Sequence, residues 1–222
     1  MDWEALLLSV KLSAVTVLFL LPVGIVTGRW LAYGQFYGKS MVQALLAIPL
    51  VLPPTVLGYY LLVSLGGASR FGQLFSKLFG HTLVFNFEGL VIASIIFNLP
   101  FAIQPVQHAF AAIPREIREA AACCGMKPAK VLWRIELPLA WTGIVSAITM
   151  TFAHTLGEFG VVLMVGGNIP GETKTIAIAI YDRVQAFDNE SAAVMSAFLL
   201  AFSMITIAFS YLITDRNKNI YG

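Results

Sequence analysis

The chain has 222 residues, 58% of them hydrophobic and 12% charged, with a net charge of +2 and a mean hydropathy of +0.81. Soluble domains hold about 45–50% apolar and about 25% charged residues, and a water-soluble fold of this size has too little interior to hide the excess. The composition therefore points to the lipid bilayer as solvent, and the small charge without a basic, aromatic-interleaved run argues against a nucleic-acid partner.

The start, Met1-Asp2-Trp3-Glu4, is acidic where a signal peptide would be basic, so the first apolar segment is expected to stay in the mature protein. A crossing needs about 20 predominantly apolar residues. Five stretches reach that length: roughly Leu6–Thr27, Met41–Leu65, Gly89–Ile113, Leu139–Val165 and Ala192–Ile213. Ile176–Tyr181 is too short to cross and reads as an interfacial or re-entrant piece. The expected fold is all-α: a polytopic membrane protein with about five transmembrane helices, residues 1–222 forming one domain.

Lys and Arg set the orientation. Arg29, Lys39, Arg115, Arg118, Lys127, Lys130, Arg134, Arg216 and Lys218 fall on one side. Lys11, Arg70, Lys77, Lys174 and Arg183 fall on the other. This places segment 114–138 and the C-terminus in the cytoplasm and the N-terminus outside, with Lys11 snorkelling outward.

The spans carry breaks and polar groups that an anchor would not need. Pro49, Pro53 and Pro54 lie in the second, and Pro100 and Pro105 in the third, where each proline is expected to kink its helix. The third also holds Asn98, Gln104, Gln107 and His108. Such features suit a pathway, although polar groups also bond helix to helix. Gly24-x3-Gly28 reads as close helix packing.

Segment 114–138 reads as helix, turn and second helix. Pro114 suits the start of one helix, Gly125 a left-handed C-cap, and Pro128 the start of the next. Ala120, Ala121 and Ala122 give the first helix a smooth surface able to enter a partner's groove, with Arg115, Arg118 and Glu119 around it. Cys123 and Cys124 are adjacent and unsuited to a disulfide with each other.

Glu119-Ala120-Ala121, then Gly125, then Ile135-x-Leu137-Pro138 resembles the EAA loop of ABC-importer permeases. The resemblance implies a type I importer permease fold in which Glu119, Ala120, Ala121, Gly125, Ile135, Leu137 and Pro138 couple to an ATPase. Leu52-Pro53-Pro54-Thr55-Val56-Leu57-Gly58-Tyr59-Tyr60, and His154-Thr155-Leu156-Gly157-Glu158-Phe159-Gly160 leading to Gly166-Gly167-Asn168-Ile169-Pro170-Gly171-Glu172-Thr173, resemble the molybdate branch. Sulfate permeases share part of the latter pattern. The implied partners are two ATPase subunits, an external molybdate-binding protein and a second copy of the chain, in a bacterial inner membrane. Tungstate is a possible second cargo. ATP hydrolysis would belong to the partner, and no cofactor is expected.

Gly34-Gln35-Phe36-Tyr37-Gly38-Lys39-Ser40 looks like a phosphate loop but is one residue short and follows no strand. In the fourth span Thr142, Ser146 and Thr149 form one stripe, and Thr151, Thr155 and Glu158 another. His154 lies one turn before Glu158 and can share its face. Thr151, His154, Thr155 and Glu158 are the candidate pathway or gate. A hydrogen-bonded pair, a proton relay of a secondary transporter, and a metal site compete, although two ligands are too few for a metal. No basic residue lies deep in a span, so contacts with an anion should be weak and transient.

Overall fold

The computed structural model describes the backbone of residues 1–221 and the side chains through Leu212. The side chains of Ile213, Arg216 and Lys218, which entered the span and orientation readings, lie outside the described residues. All regular structure among the described residues is helical.

Helix α1 (Trp3–Tyr33) opens on Asp2, whose carboxylate accepts from the Ala5 amide at 3.1 Å. It packs lengthwise on α5 (Phe87–Ala111) and α9 (Trp141–Gly157). The approach of α1 to α5 is close because Gly24 and Gly28 lack side chains: a Cβ on Gly24 would stand 2.7 Å from the Ala102 carbonyl oxygen. This is the packing expected of the two glycines.

The second span is not one rod. Leu52 and Pro53 both adopt extended ψ, since a residue before proline is pushed out of the α region. The chain therefore divides into α2 (Lys39–Val51) and α3 (Pro54–Leu65), bent by 107°. Helix α5, by contrast, runs as one helix through Pro100 and Pro105. The fourth span also divides. Helix α9 stops at Gly157, Glu158 is extended, and α10 (Gly160–Gly166) follows. Three helices are long and apolar enough to cross alone, or up to five if two bent pairs each make one span: α2 with α3, and the helical stretch Pro128–Leu139 with α9, bent by 71°.

Helix α4 (Arg70–Phe79) occupies a stretch that reads as loop. It is capped by Ser69, whose hydroxyl accepts from the Gly72 amide at 2.8 Å, and exposes Phe71, Leu74 and Leu78. The short apolar piece becomes α11 (Ile176–Gln185), with Ile176 and Ile178 fully buried. Helix α12 (Asn189–Tyr221) packs on α9 and α11.

Two ends are thereby defined. At one, the Ile176 amide donates to Ser9 Oγ at 2.8 Å, the Phe85 amide to the Val165 carbonyl at 2.9 Å, and Lys11 lies 4.3 Å over the Phe87 ring. At the other, the ends of α1 and α5 meet segment 114–138.

Candidate functional site

Segment 114–138 folds largely as its residues dictate. Helix α6 (Arg115–Cys123) ends in a Schellman closure, the Gly125 amide donating to the Ala122 carbonyl and the Met126 amide to that of Ala121. Gly125 has φ +69°. A Cβ there would meet nothing within 4 Å, so the requirement for glycine is conformational, not spatial. Helix α7 (Pro128–Val131) follows, then a π-helical stretch, Leu132–Glu136, and a last turn, α8 (Leu137–Leu139).

The seven EAA-type positions divide by exposure. Glu119, Ala120, Gly125 and Pro138 are exposed, Ile135 and Leu137 half-buried, and Ala121 buried. Arg115 bonds Glu119 at 2.5 Å within the helix. Both are solvated, so the pair contributes only about 0.3–0.5 kcal/mol and is easily exchanged for a partner's charge. Cys123 and Cys124 are free and exposed.

The residue that spacing leaves blank between Ile135 and Leu137 is the one the fold buries most. Glu136 is 1% exposed and accepts from Arg29 of α1 twice, Nε to Oε2 at 2.6 Å and Nη2 to Oε1 at 3.3 Å. Tyr33, one turn later on α1, has the Arg118 guanidinium 3.8 Å from its ring centre and that of Arg29 at 5.5 Å. Thus α6 and the π-helical stretch each grip the same end of α1, one by cation–π contact and one by a two-pronged ion pair. In sequence, Arg29 counts only as an orientation marker. The signal available was a carboxylate in a half-apolar stretch after a proline-started turn, and it does not reveal its partner.

A second region lies among α5, α9 and α12. A cavity of about 460 Å³ is lined by Phe101, Ser146, Thr149, His154, Ile207 and Tyr211 among others. Of the four pathway candidates only His154 reaches it. The Thr155 hydroxyl donates to the Thr151 carbonyl at 2.7 Å, and both threonines are buried in helix packing. Glu158 does not pair with His154. Its carboxylate folds forward to accept the Val161 amide at 2.9 Å, capping α10 across the break.

His154 is held instead by Asn98 of α5. Asn98 Nδ2 donates to the Ser94 carbonyl at 2.8 Å, which turns its Oδ1 toward His154 Nδ1 at 3.0 Å. The acceptor is then the amide oxygen, so Nδ1 carries the proton and Nε2 is left as an acceptor. Phe97 and Phe101 flank the ring at 4.9 and 4.1 Å. Of the stripe Thr142, Ser146, Thr149, the last two lie on the cavity and Thr142 does not, and none of the stripe Thr151, Thr155, Glu158 reaches it. A smaller cavity of about 260 Å³ gathers Gln104, Gln107 and His108 of α5 with Gln43 of α2, a residue the sequence did not single out. No group of three or more His, Cys, Asp or Glu able to hold a metal occurs among the described residues.

At the opposite end, Asp182 accepts from Lys174 at 2.8 Å and from Asn168 at 3.0 Å, pinning loop 166–175 to α11. Partial burial would raise the Asp182 pKa, but those hydrogen bonds and the charges of Lys174 and Arg183 outweigh it and hold the carboxyl below its usual value.

Residues 21–219 match the model of the family described as "Binding-protein-dependent transport system inner membrane component". The chain is 43% identical to the molybdenum transport system permease protein ModB of Azotobacter vinelandii, over 93% of this chain and 91% of that protein. It is 37% identical to ModB of Escherichia coli K12, over 94% and 92%. Among solved structures, a bacterial ABC transporter for import of the acidic polysaccharide alginate superposes with a TM-score of 0.78 at 17% identity, covering 96% of this chain and 78% of that one. At that identity the likeness is one of fold, that of an ABC-importer permease.

Proposed function

This chain belongs to the binding-protein-dependent transport system inner membrane component family, as the permease and not the ATPase of its system, and from that premise we propose that it carries molybdate into the cytoplasm. The observation that carries the cargo assignment is the identity to molybdenum permeases across nearly the whole chain. The cavity suits weak, transient contact with such cargo. Its lining is largely apolar, and the Ser146 and Thr149 hydroxyls on it donate to the Thr142 and Val145 carbonyls of their own helix and would have to rotate to meet an oxyanion. Among the described residues no cation lines it to hold the anion fast. Tungstate, nearly equal in size and charge, passes by the same contacts.

In this reading residues 1–222 form one permease domain that works as a homodimer, because one copy of this bundle encloses a passage poorly. Two ATPase subunits receive the 114–138 segments, through the exposed Glu119, Ala120, Gly125 and Pro138, with Ile135 and Leu137 half-buried and Ala121 buried. Segment 114–138 faces the cytoplasm and the N-terminus the outside, which agrees with the clustering of Arg29, Arg118 and Glu136 at one end of α1. High affinity resides in an external molybdate-binding protein. His154 and its Asn98 partner border the pathway, and Glu158 holds the break beside it. The relay that a proton-coupled carrier would need does not form, since His154 and Glu158 bond different partners.

The test is uptake of labelled molybdate by proteoliposomes holding this chain, its ATPase and a molybdate-binding protein. Uptake should require ATP, be blocked by vanadate and be competed by tungstate. If only a sulfate-binding protein stimulates ATP hydrolysis, the cargo is sulfate and the molybdate assignment fails.

A further inference from the structure

The near-miss phosphate loop, Gly34 to Ser40, finds a place in the fold that coupling does not use. Gly38 has φ +86°, and the reversal sets Lys39 as the first residue of α2, beside the start of α6. There a cavity of about 400 Å³ opens, lined by Tyr33, Gly34, Lys39, Pro114, Arg115 and Arg118.

Two of its three cations, Lys39 and Arg118, are uncompensated among the described residues. Arg115 has Glu119, and Glu136 is committed to Arg29. Among the described residues no carboxylate pairs with Lys39 or Arg118. Lys39 Nζ donates to the Gly34 carbonyl at 3.2 Å. Arg118 Nε and the Tyr33 hydroxyl are buried and without a hydrogen-bond partner. Buried donors left unpaired are costly, and cations gathered around one cavity repel each other. An anion with several acceptor oxygens removes both penalties at once: Arg118 offers a planar fork, Lys39 a point charge and Tyr33 a hydroxyl.

Aromatic side chains close to the cavity in sequence argue for the depth of lipid headgroups. Trp30 stacks on Phe36 at 4.5 Å next to the cavity, and Tyr37 is fully exposed, as aromatic residues at a membrane interface are. We propose that this cavity is a binding site for a phosphate-type oxyanion, supplied by the headgroup of an anionic phospholipid or by a free anion from the aqueous phase. Because it touches both α1 and the first turn of α6, its occupant stiffens the joint through which segment 114–138 is attached to the bundle. The site stands apart from the cargo assignment, and its test measures binding, not transport.

The purified complex of this chain with its ATPase is placed in nanodiscs of phosphatidylcholine mixed with phosphatidylglycerol, and retained lipid is identified by native mass spectrometry. In a second arm the delipidated complex in detergent is titrated with inorganic phosphate by calorimetry. Retention of phosphatidylglycerol without a phosphate isotherm assigns the headgroup; a saturable phosphate isotherm assigns the free anion. In either case Lys39→Gln should weaken binding about fivefold, the effect of one cation near a headgroup, and Lys39→Arg should restore it. Arg118→Gln provides a second variant with the same expected direction. Absence of both signals, or binding unchanged in Lys39→Gln and Arg118→Gln, overturns the site. So does loss of ATPase capture in Lys39→Gln with no anion bound, which would make the cavity a protein contact.

Discussion

Arg29 and Glu136 stand 107 residues apart in sequence and meet through two hydrogen bonds at 2.6 and 3.3 Å, tying the end of α1 to the π-helical stretch of segment 114–138. The pair is asymmetric, since Glu136 is 1% exposed and the Arg29 side chain 35%. Removing Arg29 strands a carboxylate with no route to water, and breaking a buried pair in this way costs about 3–5 kcal/mol. Removing the charge of Glu136 leaves a guanidinium that can turn to solvent. Arg29→Ala should therefore lower the thermal midpoint of the detergent-purified protein more than Glu136→Gln does, as followed by fluorescence-detected size exclusion. Equal losses would contradict the burial asymmetry.

The Gly125 turn separates conformation from space. Gly125→Val should cost about 1–2 kcal/mol through the left-handed backbone alone, misaligning α7 relative to α6. Gly125→Asn should cost less, because Asn tolerates that region. ATPase capture and uptake should fall in the order Gly, Asn, Val while membrane insertion stays normal. Full retention in Gly125→Val would remove the proposed coupling role from this segment.

The two stripes of α9 should respond differently to a thiol reagent. In a background lacking Cys123 and Cys124, Thr149→Cys borders the open cavity and should label with a bulky maleimide. Thr155→Cys, 1% exposed in helix packing, should not. Labelled Thr149→Cys should lose uptake. Labelling of both positions at the same rate would show that the buried stripe, not the Ser146 and Thr149 stripe, faces the pathway.

Asp182 gives the opposite end a pH dependence of known sign. Its folded pKa is depressed, so the stabilisation of loop 166–175 is fully present above the unfolded Asp value of about 3.9. It is lost as pH falls through the lower folded value. Hydrogen exchange in that loop should stay slow, relative to the intrinsic rate, at neutral and mildly acidic pH and lose protection only in stronger acid. Asp182→Asn should lack the transition and be less protected at neutral pH. Matching profiles for the two proteins would mean that the Lys174 and Asn168 bonds do not hold the loop.

What the sequence determined by itself was whatever local chemistry imposes. The Gly24 and Gly28 contact, the Pro114 start, the Gly125 turn and the Pro128 restart all follow from backbone preferences and neighbours within a few residues, and each stands where it was expected. So do the first, third and fifth apolar runs, whereas the second and fourth are broken. Prolines were legible as features but not in their effect. Pro53 and Pro54 in tandem turn the chain by 107°, whereas Pro100 and Pro105 leave α5 whole. The tertiary structure decided every pairing over distance. His154 chose Asn98, 56 residues away, over the glutamate four residues along the chain, because that glutamate lies past the end of α9 and caps the next helix across the break. Glu136 chose Arg29. A side chain's partner depends on which faces two helices turn toward each other, and that is set by how the whole bundle fills its interior, a property no window of sequence contains.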